Sequence, residues 1–351
     1  MSATSSTNHS SHASHAMPMA PPKIGVRIAG TGHCLPEKRL TNDDLSRIID
    51  TNHDWIVQRT GIHERRVCDP ENGESVRSLS TEALRNALAD ARMDATKLDL
   101  IILASVSADT RVPSTACRVA DALGATNAGA LDIIVACSGF VYGMNMAHDL
   151  IRSGTHKAVG VVGCDAMSTI TDPLDRRTAI LFGDAAGAAV FTATDDVTKG
   201  VLAQSMSSDG SHWMDLYLPF QDRDLPDGAT WDDLPPGCLR MNGREVYRFA
   251  VSTFRTLIDE TLEKAGISAD DVDLFVAHQS NLRILESARQ KFGIPEEKMY
   301  VNIDRYGNSS AGSVPLCLSE LRQQKRIHEG DIVLFLAFGA GLTWASSLWR
   351  M

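Results

Sequence analysis

"LDLIILASVS" (Leu98–Ser107) and "VDLFVAHQSN" (Val272–Asn281) share one pattern, and their pairing decides the fold. Each places an aspartate before a short aliphatic run and polar residues after it, as in a strand buried on both faces. A helix-like stretch precedes each: "STEALRNALADARM" (Ser80–Met93) in one case, "TLIDETLEKAG" (Thr256–Gly266) in the other. A second helical stretch ending in glycine follows each, "ACRVADALG" (Ala116–Gly124) and "RILESARQKFG" (Arg283–Gly293). Further on, "FGDAAGAAVF" (Phe182–Phe191) parallels "FGAGLTWASSLW" (Phe338–Trp349), and the offset stays at about 155–175 residues throughout. Several pairs in the same order point to an ancient duplication, two copies of one strand–helix unit in a layered α/β fold. The halves divide as residues 23–196 and 197–351. The Pro/Gly/Asp-rich stretch Asp209–Leu239 reads as a surface excursion opening the second half.

Composition narrows the function. With 351 residues, 43% of them hydrophobic and 22% charged, the chain has enough apolar material for two fused halves sharing a core. A net charge of −10 argues against nucleic-acid binding through overall charge, so an acidic partner requires a local basic patch. No apolar run reaches the roughly 18–20 residues that span a bilayer. Seven cysteines, none in C-x-x-C spacing, fit neither a disulfide framework nor a zinc site, and a reducing cytoplasm is the expected location. Residues 1–22, rich in Ser, His, Ala and Pro, lack a signal-peptide core and read as a disordered tail. Their His9, His12 and His15 leave a metal-binding tail as the alternative. Phosphate-loop, dinucleotide, H-E-x-x-H and G-x-S-x-G motifs are all absent from the sequence.

Chemistry concentrates where "LDIIVACSGFVYGMNMAHDLIRSG" (Leu131–Gly154) changes period. Ile133, Ile134 and Val135 read as a buried strand. Phe140, Met144, Ala147 and Ile151 then recur at helical steps. Cys137 falls between them, where a helix N-terminus stabilises a thiolate below the ~8.5 of a free cysteine. Two polar residues of the second half occupy matching strand ends: His278 after "LFVA", and Asn308 in the Gly/Ser-rich loop of "VNIDRYGNSSAGSVP". Singly, each is equally well a packed core or turn residue; as a Cys/His/Asn set they form a candidate reaction centre. The small-residue loop "AFGAGLTWAS" (Ala337–Ser346) offers backbone N–H groups to a reacting oxygen, or simply makes a tight turn. Trp55 and Arg59, four apart on an expected helix, suit a flat charged ligand. Arg176, Arg177, Arg244, Arg248, Arg283, Arg289 and Lys291 form either a basic patch or an ordinary solvated face.

Taken in order, "TNHDWIVQRTGI", "VPSTACRVADALG", "VACSGFVYGM", "ILFGDAAGAAVF", "MNGREVYRFAV", "VAHQSNLRI", "DRYGNSSAGSVP" and "AFGAGLTW" resemble β-ketoacyl-acyl-carrier-protein synthase III, the initiating condensing enzyme of type II fatty-acid synthesis. The resemblance runs from about Ile24 to Arg350. It implies the thiolase fold, a five-layered α-β-α-β-α sandwich of two duplicated halves, and a homodimer. It implies a decarboxylative condensation of an acyl-CoA primer with malonyl-acyl-carrier-protein through an acyl-cysteine, with no metal and no resident cofactor. Under it, Cys137 is the acylated nucleophile, and His278 and Asn308 serve decarboxylation. Thr51, Trp55, Arg59, Arg176 and Asn281 contact coenzyme A, Val112 and Phe338 shape the acyl pocket, and Arg248 and Arg283 receive the carrier protein. The backbone N–H groups of Cys137 and Ala340 form the oxyanion hole.

Two departures from the family pattern stand out. Ala340 replaces the middle of three glycines, and strain from a positive φ is expected there. Val112 stands where many acetyl-primed members carry Phe, which implies a roomier pocket. Two other readings share the Cys/His/Asn set: an acyltransferase or secondary-metabolite ketide synthase of the same fold, and a papain-like hydrolase, whose cysteine signature is absent.

Overall fold

The computed structural model describes residues 24–231 and 235–351; the His-rich tail lies outside them. Nine strands build two main sheets. The first contains β1 (Gly25–Cys34), β2 (Leu100–Ala104), β3 (Gly129–Ile133), β4 (Ala158–Ala166) and β5 (Asp184–Thr194), in the order β1-β5-β4-β2-β3. The second contains β6 (Gly200–Ser208), β7 (Leu274–Ala277), β8 (Ile332–Gly339) and β9 (Thr343–Arg350), in the order β6-β9-β8-β7. The pairings repeat. β1/β5/β4 and β6/β9/β8 are antiparallel, whereas β4/β2 and β8/β7 are parallel. Even the fifth position has a trace in the second half, a parallel bridge from Phe275 to Met299 where the first sheet has β3. The stretches paired by sequence, Leu98–Ser107 with Val272–Asn281 and Phe182–Phe191 with Phe338–Trp349, contain equivalent strands β2/β7 and β5/β9.

Side-chain alternation explains the layering. On β2, Ile102 faces the central core while Ile101 and Leu103 face outward. On β8, Val333, Phe335 and Ala337 face inward while Leu334, Leu336 and Phe338 face outward. Both faces of each sheet are therefore apolar, and helices must cover all four. Helices α2 (Val76–Asp90) and α3 (Thr115–Leu123) cover the first outer face, α5 (Gly243–Ala265) and α6 (Leu282–Lys291) the second. Between the sheets lie α4 (Gly139–Arg152) and α7 (Ser313–Gln323), giving an α-β-α-β-α sandwich. The α4 stripe of Phe140, Met144, Ala147 and Ile151 is fully buried, as its period requires.

Two expectations need correction. The run Ile133–Val135 is not a buried strand: β3 ends at Ile133, pairs only with β2, and leaves Ile134 81% exposed at the sheet edge. The Asp209–Leu239 excursion does not open the second half. It follows that half's first strand, β6, and its Leu216, Leu218, Phe220 and Leu239 wall a cavity beside Cys137.

Candidate active site

Cys137 lies in a single 3-10 turn, Ala136–Ser138, between β3 and α4. Ala136 carries a positive φ of 47°, a conformation costly for a side chain with a Cβ, and it aims Cys137 sharply off the strand. The turn is tied down from the other half, because the Ser138 hydroxyl donates to the Thr343 carbonyl at 3.1 Å. Gly339 has no alternative residue, since a Cβ there would sit 2.6 Å from the Cys137 amide nitrogen. The expected strain at Ala340 is absent: its φ is not positive, and the left-handed value falls on Gly341 instead, at 134°. Ala340 lines the larger cavity together with Cys137.

His278 directly follows β7 and is 1% exposed. Its backbone N–H donates to Leu336 at 2.8 Å, and Phe338 meets its ring edge-on at 5.5 Å. Asn308 is locked by both halves. Its N–H donates to Leu181 at 2.8 Å, and its carbonyl accepts from Gly183 at 3.1 Å. Asn308 Oδ1 accepts from the Ser310 N–H at 2.9 Å, which leaves the Nδ2 amide hydrogens as donors toward the cavity.

Asp165, buried at the end of β4, was not anticipated from sequence. One of its oxygens, Oδ1, accepts from Ser105 Oγ, the Val106 and Ser107 N–H groups and Ser107 Oγ, while Oδ2 accepts from the Ala311 N–H. It thereby joins the loop after β2 to the Asn308 loop. An acid ending an apolar strand, "VGVVGCDA", was the available signal.

The electrostatics differ from those expected of a helix-end thiolate. Burial pushes the Cys137 thiol up to about 12; the neighbouring Ser310 side chain opposes this and the Asp165 carboxylate adds to it. Burial alone drives His278 down to about 3. At neutral pH the pair rests as a thiol and a neutral imidazole.

Cys137, His278, Asn308 and Phe338 line one narrow cavity of about 100 Å³. On its other side Cys137 also borders a chamber of about 1200 Å³ lined by Val106, Leu131, Met167, Ile170 and Leu218. Phe338 therefore belongs to the narrow passage, not to the chamber. Val112 is 87% exposed and lines neither, although its neighbours Arg111 and Ser114 border the chamber.

The narrow passage leads outward past Asn281 and Tyr247 to a hollow lined by Arg59, Arg244, Arg248 and Arg283. Asn281 caps α6 through Oδ1 and donates from Nδ2 to the Arg59 carbonyl. Helix α1 (His53–Thr60) presents Trp55, over which the Arg176 guanidinium lies at 4.1 Å and that of Arg59 at 5.5 Å. A flat ring between Trp55 and Arg176 needs about 7 Å, two contact distances, more than the 4.1 Å that separates them. Thr51 Oγ1 is buried without a hydrogen-bond partner. Among the described residues no cluster of three His, Cys, Asp or Glu side chains could hold a metal ion, and no helix is long and apolar enough to cross a membrane.

Residues 131–210 match the family model for 3-oxoacyl-[acyl-carrier-protein] synthase III, and residues 262–351 match the model for its C-terminal part. The β-ketoacyl-[acyl-carrier-protein] synthase III of Caldanaerobacter subterraneus is 44% identical over 326 residues, 93% of this chain and 98% of the relative. A Bacillus anthracis protein named β-ketoacyl-[acyl-carrier-protein] synthase III 1 is 43% identical over 323 residues, 92% of this chain and 98% of the relative. The crystal structure of 3-oxoacyl-[acyl-carrier-protein] synthase III from Aquifex aeolicus superimposes with a TM-score of 0.85 at 41% identity, covering 93% of this chain and 100% of that one. With a duplicated five-layer sandwich and relatives this similar along nearly its whole length, the chain belongs to the β-ketoacyl-[acyl-carrier-protein] synthase III family and is a condensing enzyme of the acyltransferase type.

Proposed function

We propose that Cys137 accepts an acyl group from acyl-CoA and passes it to a carbanion formed by decarboxylation of malonyl-acyl-carrier-protein. The observation that carries this reading is the shared cavity, in which a cysteine on one half faces a neutral histidine and an oriented carboxamide from the other. In the first step the Cys137 sulfur bonds to the thioester carbon, the bond to the coenzyme A sulfur breaks, and the thiol proton ends on the departing thiol. Backbone N–H groups at Cys137 and Ala340 meet the oxyanion; losing one such donor costs about 3 kcal/mol.

In the second step the bond to the malonyl carboxylate breaks and CO₂ leaves. The electron pair becomes an enolate on the thioester oxygen, which His278 Nε2 and Asn308 Nδ2 stabilise as donors. The α-carbon then bonds to the acyl carbon, the Cys137 sulfur–carbon bond breaks, and the sulfur regains a proton from solvent. All assistance in this scheme comes from N–H donors, without a metal or resident cofactor.

Trp55, Arg176, Arg59 and Thr51 hold the nucleotide end of coenzyme A, and the orphaned Thr51 hydroxyl supports that placement. Asn281 borders the pantetheine path, while Arg248 and Arg283 receive the acidic carrier protein. The chamber takes the acyl chain. A second copy of the chain packs along the β3 edge, where Val112 and Ile134 are exposed, and places Val112 against that chamber. Seven free thiols suit a reducing cytoplasm.

The test is an acyl-CoA panel from two to twelve carbons, scored by intact mass. The wild type gains one acyl increment per chain, Cys137→Ser gains none, and the loaded enzyme releases a β-ketoacyl product on addition of malonyl-acyl-carrier-protein. Loading that persists in Cys137→Ser ends the proposal.

A further inference from the structure

The hydroxyl of Ser313, the first residue of α7, lies 2.7 Å from Nδ1 of His278. It is the one hydrogen-bonding protein partner of that ring among the described residues. Burial lowers the pKa of the imidazole, and Phe338 meets its ring edge-on. A buried neutral imidazole carries one ring proton, and whichever nitrogen lacks it accepts. The tautomer of His278 is therefore decided by where the single Ser313 hydroxyl proton points.

Two acceptors lie within reach of that proton: His278 Nδ1, and the Ser310 carbonyl at 3.0 Å. If the proton goes to Ser310, Nδ1 must carry the ring proton and Nε2 faces the cavity bare. If it goes to Nδ1, Nε2 faces the cavity as N–H. The Ser310 carbonyl already accepts from the Ser313 backbone N–H, so it does not need the hydroxyl. The Gln279 N–H, 3.4 Å away, donates to one of the two lone pairs of the Ser313 oxygen and is compatible with either arrangement. The shorter contact, in the range of an O–H donor, and the satisfied carbonyl favour the second arrangement. It also matches Asn308, whose amide is fixed as a donor by the adjacent Ser310 N–H.

We infer that Ser313 donates to Nδ1 of His278 and so holds Nε2–H toward the cavity, which makes Ser313 the positioning residue of the decarboxylating step. This rests on the proposed roles of His278 and Asn308, but its structural half stands apart from them. One short segment, Asn308–Ser313, thereby sets both donors: Asn308 through the Ser310 amide, His278 through the Ser313 hydroxyl. Acyl transfer to Cys137 relies on backbone N–H groups and is insensitive to this tautomer.

The experiment has two arms on the full-length protein. In the first, ¹⁵N-histidine labelling, with the His278 signals assigned by their loss in His278→Ala, reads the tautomer of the resting enzyme. An unprotonated Nδ1 and a protonated Nε2 are expected; a protonated Nδ1 overturns the inference, whether or not any acyl-CoA loads. In the second arm, Ser313→Ala and Ser313→Thr are assayed for acyl loading by mass and for malonyl decarboxylation separately. Ser313→Ala slows decarboxylation about 10- to 100-fold, as losing a histidine's orienting partner does, with loading within about threefold. Ser313→Thr, which keeps the hydroxyl, restores most of it. Equal loss in both steps, or no gain from threonine over alanine, overturns the assigned role. Failure of wild-type loading with an Nε2–H histidine would remove the proposed function and leave the tautomer intact.

Discussion

Cys137 and His278 are held uncharged by burial, and each leaves a mark on stability. His278 binds its proton near 3 in the folded chain, against an ordinary 6.5. Between those values an unfolded chain holds a proton that the native chain refuses, so stability falls as pH drops below 6.5 and is unaffected above it. The full effect is on the order of 5 kcal/mol, from 1.4 kcal/mol per unit. Cys137 acts at the other end: burial pushes its thiol up to about 12 when folded, so stability falls as pH rises through the range where a free thiol ionises. Urea midpoints measured from pH 4 to 8 should therefore decline on the acid side in the wild type and decline less in His278→Ala. An unchanged acid slope in that variant would show that the histidine is not held neutral. The thiolate expected from a helix-end position was a sequence-level error with a clear cause. Proximity to a helix end is visible in a pattern, but burial of the sulfur between the two halves is not.

At the scale of elements, the site depends on how closely the Asn308 loop lies against β4. A Cβ at Gly163 would fall 2.1 Å from the Ala311 carbonyl oxygen, a contact that backbone cannot absorb without moving. Gly163→Ala should lower thermal stability by about 1–3 kcal/mol. It should also depress decarboxylation more than acyl loading, because the loop it displaces carries Asn308, whereas Cys137 sits on another. Comparable losses in both steps would place the damage in the fold alone. The same loop shows what the sequence made legible. His278 was visible because it ends a strand in a repeated unit; Asn308 was visible only through its Gly/Ser-rich loop, and the strand end expected for it is absent, since it follows a short helix, Ile303–Tyr306. Asp165 and Ser313 were hidden, since their partners lie far off in sequence: Asp165 reaches Ser105 and Ala311, and Ser313 reaches His278. Ile134 misled because a β-branched run looks alike at a sheet's centre and at its rim, where only one neighbour exists.

On the scale of the whole molecule, a chain of net charge −10 concentrates Arg59, Arg244, Arg248 and Arg283 around one hollow. An acidic partner is repelled by most of the surface and drawn to that one place. Arg248 sits at its rim, paired with Glu245 at 2.9 Å. Arg248→Glu should raise KM for malonyl-acyl-carrier-protein about tenfold at low salt, a difference that shrinks as ionic strength rises, while acyl-CoA loading changes by less than about twofold. Equal damage to both would deny the arginine a docking role. The meeting of a narrow passage and a wide chamber at a single sulfur has its own consequence. Under the proposed function, the attached primer's tail lies in the chamber and vacates the doorway it came through, so one door serves two visitors in turn. On that reading spent coenzyme must walk out before the extender walks in, which makes alternation of the two half-reactions a matter of traffic as much as of chemistry.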